Sequence, residues 1–404
     1  MTTQLLHGVR ILDMTNVLAG PYCGYQLALF GADVVKIEVP GSGDLARQLG
    51  ADPLLNKIKL GASFLAQNAG KRSVEINMKT EEGKAVFREL LDSADVLLEN
   101  FRPGVLARLG FPWEELKKIN PRLIYCAISG FGQDGPMAER PAYDQIIQGL
   151  AGMMSVTGSG DVSPLRAGYP VSDTVGGLAA AMAISAALVD RYRTGQGHML
   201  DVSMLEASAS VMGWAVSNYL ITGQRPEPMG NDNATAAPSG AFPTASGQIN
   251  IAANKQEQFV TLCELIGRPE LVEDQRFKER ESRKANREQL NDEIAVGLSS
   301  RPAIEWEDLL ASHGVPAARI LSVPEMVELE QLKVRHFFTE LPFPGDSQRV
   351  LRVSGNGVVV DGESLSPALP PPLLGQHNEE ILGKLGTHTK NGAAGAVSIG
   401  GIDA

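Results

Sequence analysis

The sequence predicts an α/β protein, with a large domain on a largely parallel sheet and a smaller α+β domain after it. Two observations carry that reading. Over roughly the first two hundred of the 404 residues, short apolar runs alternate with helix-like segments, the pattern of βαβ units. After about Thr222 the character changes. Gly223 to Gly240 is rich in Pro, Gly, Asn and Ser and reads as a linker or loop.

The elements follow in order. Val9 to Met14 is a short apolar strand, and Pro21 to Phe30 a helix stopped by Gly31. Asp33 to Glu38 is the next strand. Ser73 to Asn77 is another, followed by an amphipathic helix over Thr80 to Leu91. Asp95 to Leu98 and Arg122 to Ile128 are further strands. Gly176 to Tyr192 reads as a long buried helix, and His198 to Ser203 as a strand. The apolar stretch in that helix, Val175 to Val189, is short for a bilayer span.

Beyond the loop, Gln248 to Ala253 reads as a strand, with helices near Gln256 to Ile266, Asn286 to Leu298 and Ala303 to His313. A strand follows at Ala317 to Leu321. From about Thr339 the chain is expected to return to the first domain. The resulting division is 1–222 for the large domain, 223–335 for the small one, 336–386 for the return and 387–404 for a mobile tail.

Composition narrows the function. The formal net charge is −11, so neither nucleic acid nor an anionic membrane is an expected partner. The three cysteines, Cys23, Cys126 and Cys263, lie far apart, which suggests no disulfide framework and no metal site. With no apolar signal core in the first nine residues, a cytoplasmic protein is expected. No histidine lies between His7 and His198, which disfavours imidazole-based proton transfer in the first domain.

Several residues could carry chemistry. Asp173, in Tyr169-Pro-Val-Ser-Asp-Thr-Val-Gly-Gly177, precedes the long helix and reads as its N-cap. A carboxylate there is expected to be held ionised by the helix dipole, as a nucleophile requires. Gly176 and Gly177 would let a ligand or a second backbone approach closely. The loop Val17-Leu-Ala-Gly-Pro-Tyr-Cys23 leaves the first strand at a common ligand position. It is not GxGxxG, and no P-loop is present, so a nicotinamide site is weakly supported. Lys71, Arg72, Lys79, Arg102 and Arg108 are either solvated charges or a phosphate site. Asp144 is either an acid/base or orienting residue, or a helix cap. Arg140 and Arg166 are candidates for a second substrate carboxylate, or surface charges.

An ordered series of motifs then resembles one family. It begins with Leu6-His-Gly-Val-Arg-Ile-Leu-Asp13, Leu18-Ala-Gly-Pro21, Leu29-Phe-Gly-Ala-Asp-Val-Val-Lys-Ile-Glu38 and Gly41-Ser-Gly-Asp44. Asn68-Ala-Gly-Lys-Arg-Ser73, Ala94-Asp-Val-Leu-Leu-Glu-Asn-Phe-Arg-Pro-Gly104 and Ser129-Gly-Phe-Gly-Gln-Asp-Gly-Pro136 continue it. Asn120-Pro-Arg-Leu-Ile-Tyr125, Tyr143-Asp144, Asp173, Arg193-Thr-Gly-Gln-Gly197 and Asp201-Val-Ser-Met204 follow, and Gly314-Val-Pro-Ala317 and Pro370 to Gly375 fit late in the chain. Together they resemble class III CoA-transferases, the family of formyl-CoA:oxalate, carnitine and 2-methylacyl-CoA racemase enzymes, over nearly the whole chain to about Leu385.

The resemblance implies a Rossmann-like large domain joined by linkers to a small one, in an interlocked-ring homodimer. It implies Asp173 as the catalytic carboxylate. Val17, Leu18, Ala19, Ile76, Lys79, Asn100, Phe101, Arg108 and Met204 match coenzyme A contacts. CoA would be a substrate, with no permanently bound cofactor, and the partners would be an acyl-CoA and a small carboxylic acid. The implied reaction runs through an aspartyl anhydride and an aspartyl-CoA thioester, with amides near Gly176 or Gly230 as oxyanion donors. Leu18 stands where formyl-CoA transferases place Gln, Val39 where they place a basic residue, and Met229 to Gly240 lacks their glycine run. Short dicarboxylates are therefore expected without commitment to the formyl-CoA pair. The alternatives are 2-methylacyl-CoA racemase chemistry and a non-catalytic acyl-CoA-binding protein.

Overall fold

The computed structural model describes residues 4–383. The chain divides into two compact units. Residues 4–151, 168–213 and 333–383 make the first, and residues 152–167 and 214–332 the second. The excursion at 152–167 carries no compositional mark, because it is a loop-rich segment among others of its kind. The tail expected to be mobile, 387–404, lies outside the described residues.

In the first unit the strands are β1 (Arg10–Asp13), β2 (Asp33–Glu38), β3 (Lys71–Glu75), β4 (Val96–Glu99), β5 (Ile124–Ser129) and β6 (Met199–Ser203). They lie in the order β3-β2-β1-β4-β5-β6 with every neighbouring pair parallel. That is the doubly wound order, and its direction reverses between β1 and β4. Every residue of β4 and β5 is buried. A parallel sheet covered on both faces explains why these strands read as unbroken apolar runs.

Alternate residues feed two cores. Ile11, Val34, Leu98 and Ile128 pack with Cys23, Leu27 and Ile184 on one face. Leu12, Val35, Leu97 and Tyr125 pack with Phe87 and Leu91 on the other. The first face is covered by helix α1 (Ala19–Leu29) and the second by α2 (Glu81–Asp92). The start of α2 is marked by Thr80, whose Oγ1 accepts the Gly83 amide at 3.1 Å. Two later helices complete the frame of the site, α3 (Asp144–Leu150) and α4 (Val171–Thr194), and α5 (Met204–Val211) follows β6.

Helix α4 differs from its sequence reading in two ways. It starts at Val171, so Asp173 sits inside the first turn and Pro170 is the capping residue. It is also 24 residues long and turns only one face inward. Ser172, Gly176, Gly177, Ala180, Ile184 and Ala187 are buried, whereas Leu178, Met182, Val189 and Tyr192 are exposed. By length and composition alone this helix could cross a membrane. Its buried face is a core face of the first unit. Glycine is required where α4 meets α1: a Cβ at Gly177 would lie 2.5 Å from the Ala19 carbonyl oxygen.

The second unit holds a three-stranded antiparallel sheet, β7 (Ser239–Pro243), β8 (Gln248–Ala252) and β9 (Ala317–Arg319). Helices α6 (Gln256–Leu265), α7 (Arg287–Leu298) and α8 (Ala303–Ser312) pack on it around Phe242, Ile251, Phe259, Leu290 and Trp306. Residues 223–238 contain neither helix nor strand, as their composition predicts. Back in the first unit, β10 (Phe338–Phe343) and β11 (Asp346–Ser354) form a separate antiparallel hairpin.

Candidate active site

The carboxyl ends of β1 and β4 meet at the reversal point of the sheet, and the loop after β1 is fixed there by buried charge. Asp13 closes β1 and pairs with Lys71 at 2.8 Å, and Asp44 pairs with Lys36 at 2.9 Å, all four side chains fully buried. Burial pushes Asp13 and Asp44 upward, but the lysines, with the hydrogen bonds from Thr15 to Asp13 and from the Val17 and Ala46 amides to Asp44, outweigh it and hold both carboxylates below their usual range. Asp13 Oδ1 accepts the Thr15 amide at 2.9 Å, and Lys36 Nζ donates to the Thr15 carbonyl at 2.7 Å. Asp44 Oδ1 in turn accepts the Val17 amide at 2.9 Å.

Next to Thr15, Asn16 and Asn100 bond reciprocally. The Asn16 amide donates to Asn100 Oδ1 and Asn100 Nδ2 to the Asn16 carbonyl, both at 2.8 Å. These contacts hold Val17 at φ +68°. A β-branched residue in the left-handed region stores strain, about 1–2 kcal/mol. The strain is tolerated because the amide on one side and the bracket of asparagines on the other leave the loop no alternative.

Asp173 reaches the same place from α4. Its own amide, at 3.3 Å, and that of Ser172, at 2.8 Å, donate to Asp144 Oδ1. Asp144 is itself the first residue of α3 and takes Gln148 Nε2 on Oδ2 at 2.6 Å. Thus Asp144 does cap a helix, but the helix it caps is α4 rather than its own. Burial, and after it the charge of Asp144, pushes the Asp173 carboxyl up to about 7. The sequence expectation that the helix terminus keeps Asp173 ionised does not hold, because burial and the neighbouring Asp144 charge outweigh the helix terminus.

A cleft of about 220 Å³ opens beside Asp173. Val17, Leu18, Ala19, Asn100, Phe101 and Met204 all line it, from loops after β1, β4 and β6. Three other predicted contacts do not. Ile76 is buried in the core beyond β3, and Lys79 and Arg108 are exposed outside the cleft. The five cations do not converge either. Lys71 is a structural ion-pair partner, and Arg72 pairs with Asp33 and with Glu380, the latter at 2.6 Å. Only Arg102 reaches the cleft, joined there by Arg140, while Arg166 belongs to the second unit. His198, the first histidine after His7, bonds Asp190 at 2.9 Å.

The sequence assigns no site role to Asn16, Asp44, Ser129 or Tyr143, although the last three fall within its motif series. Asn16 and Ser129 were findable, since Ser129 ends β5 and Asn16 lies in the loop just past β1, the side on which open α/β sheets bind ligands. Asp44 was not: it lies 27 residues from the amide it holds. Chemically, the cleft presents one carboxylate of raised pKa, two guanidinium groups and an apolar wall.

Comparison with known proteins gives the class of protein to which this cleft belongs. The model of CoA-transferase family III matches residues 6–378, and the chain belongs to that family. It is an enzyme of the class III CoA-transferase type. The chain is 36% identical to the succinyl-CoA:glutarate CoA-transferase of Mus musculus, over 93% of this chain and 85% of the mouse protein. It is 40% identical to the acetyl-CoA:oxalate CoA-transferase of Acetobacter aceti, over 85% of this chain and 88% of that one. A crystal structure of a CAIB/BAIF family protein from Brucella suis superposes with a TM-score of 0.83 at 35% identity, covering 94% and 99% of the two chains.

Proposed function

We propose that this enzyme moves CoA from an acyl-CoA to a short dicarboxylic acid, with Asp173 as the covalent carrier. The observation that carries the reading is the position of Asp173 in one cleft with Val17, Leu18, Ala19, Asn100, Phe101 and Met204. Relatives named for glutarate and oxalate support the choice of acid. Arg102 and Arg140 supply positive charge for anionic substrates in that cleft. The cleft is small for a whole CoA molecule, so it takes the thioester end. The nucleotide lies outside the cleft, and the exposed Lys79 and Arg108 are the candidates to meet its phosphates.

An Asp173 carboxylate oxygen attacks the donor thioester carbonyl, the C–S bond breaks, and CoA leaves as thiolate with a mixed anhydride on Asp173. The thiolate then attacks the aspartyl carbonyl. The donor acid departs as carboxylate and leaves an aspartyl-CoA thioester. The acceptor carboxylate attacks that thioester, the C–S bond breaks, and CoA thiolate leaves with a mixed anhydride between Asp173 and the acceptor. The thiolate then attacks the acceptor carbonyl, giving the new acyl-CoA and freeing the Asp173 carboxylate. A raised pKa makes the ionised Asp173 a more basic and hence stronger nucleophile. Shielding by the apolar wall protects the anhydride from water.

The proposal extends to a homodimer. The exposed apolar stripe of α4, Leu178, Met182, Val189 and Tyr192, supports it, since such stripes mark interfaces. A cytoplasmic location fits the three free, buried cysteines.

The test is a matrix of acyl-CoA donors against oxalate, succinate, glutarate and monocarboxylic acids, read by mass spectrometry of the CoA products. Asp173→Ala should lose turnover, and the wild type should carry a CoA-mass adduct on Asp173. Near-normal exchange by Asp173→Ala would overturn the mechanism.

A further inference from the structure

We infer that Glu99 is a positioning residue for the acyl-CoA side of the cleft, acting through its hydrogen bond to the Phe101 amide. The inference rests on the CoA-transfer reading above. Glu99 is the last residue of β4 and is 3% exposed, so it touches no ligand itself. One of its oxygens, Oε2, accepts the Phe101 amide at 2.5 Å, and the other, Oε1, accepts the Tyr125 hydroxyl at 2.7 Å. The four residues that follow Glu99 belong to the cleft wall: Asn100, Phe101, Arg102 and Pro103 all line the cavity.

The consequence reaches further than one loop. Asn100, directly after Glu99, makes both bonds of the asparagine bracket to Asn16. Asn16 precedes Val17, held at φ +68°. Releasing the Phe101 amide therefore loosens the β4 loop and, through Asn100, one of the two restraints on the strained β1 loop. Asp173 stands on α4 and is held by Asp144, a separate set of bonds. The Glu99 contact thus shapes the wall without setting the nucleophile.

The charged and titratable groups around Glu99 are Tyr125 and Cys126 on β5 and Asp201 on β6. Burial, opposed by the two hydrogen bonds and reinforced by Asp201, pushes the Glu99 carboxyl up to about 7. Either protonation state serves the loop. The carboxylate accepts from both donors. The acid keeps one oxygen for Phe101 and donates its proton to Tyr125, whose hydroxyl rotates to accept. The essential feature is an oxygen acceptor facing Phe101, not a charge.

That distinction defines the experiment, run on the full chain with the donor acyl-CoA of the highest wild-type turnover. Glu99→Met fills the same buried space with no oxygen acceptor. Glu99→Gln keeps the acceptor and removes the charge. Glu99→Met should raise KM for the acyl-CoA about tenfold or more, because a buried amide loses its partner, while kcat stays within about threefold. Glu99→Gln should restore KM to within about twofold of wild type. Three results overturn the proposal: a folded Glu99→Met with unchanged KM, a Glu99→Gln as impaired as Glu99→Met, or failure of both variants to fold. A wild-type chain that exchanges no CoA would instead sink the reading of the reaction, so the two failures are separable.

Discussion

Asp144 Oδ1 accepts the amides of both Ser172 and Asp173, so one carboxylate holds the helix terminus that presents the other. The arrangement fixes Asp173 in place and burdens it electrostatically at once. Asp144 is the second cause, after burial, of the raised Asp173 pKa.

Removing that charge should be visible in the pH profile. In the proposed mechanism ionised Asp173 is the attacking form, so kcat/KM should rise with pH through about 7 in the wild type. Asp144→Asn retains an oxygen for the amides and deletes the charge. Its ascending limb should move to lower pH by about one unit. An unmoved limb would show that burial alone sets the value.

Stability should respond in the opposite sense. The folded Asp173 carboxyl titrates near 7, above its ordinary value of 3.8. Between those values the unfolded chain is ionised while the folded one keeps its proton, so folding loses stability as pH rises through that window. Asp173→Asn carries no such loss. It should be more stable than wild type at pH 8 by about 1–3 kcal/mol, since solvent screens part of the penalty on the half-buried side chain. At pH 4 the two should nearly coincide in urea unfolding.

Under the β1 loop, the Lys36–Asp44 pair is buried on both sides. Lys36→Met should destabilise the fold by about 3–5 kcal/mol, because Asp44 is left uncompensated. Lys36→Met with Asp44→Leu should recover much of the loss in thermal unfolding while raising KM, since the Val17 amide then has no acceptor. Recovery of both properties would contradict the role given to Asp44.

Two adjacent glycines make a differential test of how α4 is seated. A Cβ at Gly177 would meet backbone, the Ala19 carbonyl oxygen at 2.5 Å, which cannot move without displacing α1. A Cβ at Gly176 would meet the Met204 side chain, Cγ at 2.9 Å, which can turn aside. Gly177→Ala should cost about 1–3 kcal/mol and Gly176→Ala clearly less. Equal effects would place α4 differently against α1.

Much of this protein is determined by its sequence alone. Unbroken apolar runs such as Ile124–Ser129 declare a doubly covered parallel sheet, because only there is every residue buried. The motif series from Leu6 onward points to the CoA-transferase family and to Asp173. What only the tertiary structure decides is electrostatic and steric, and it depends on distance through space. Asp144 lies 29 residues from Asp173 in the chain yet bonds its amide. Likewise Lys71, which looks like a phosphate ligand, is a buried partner of Asp13 beneath α1, where a Cβ at Gly24 would approach both side chains to about 3 Å. Local patterning selects elements because helix and strand periods are properties of neighbours along the chain. Charge pairing, strain at Val17 and the pKa of Asp173 are not, because residues remote in sequence set them by packing together at the reversal point of the sheet.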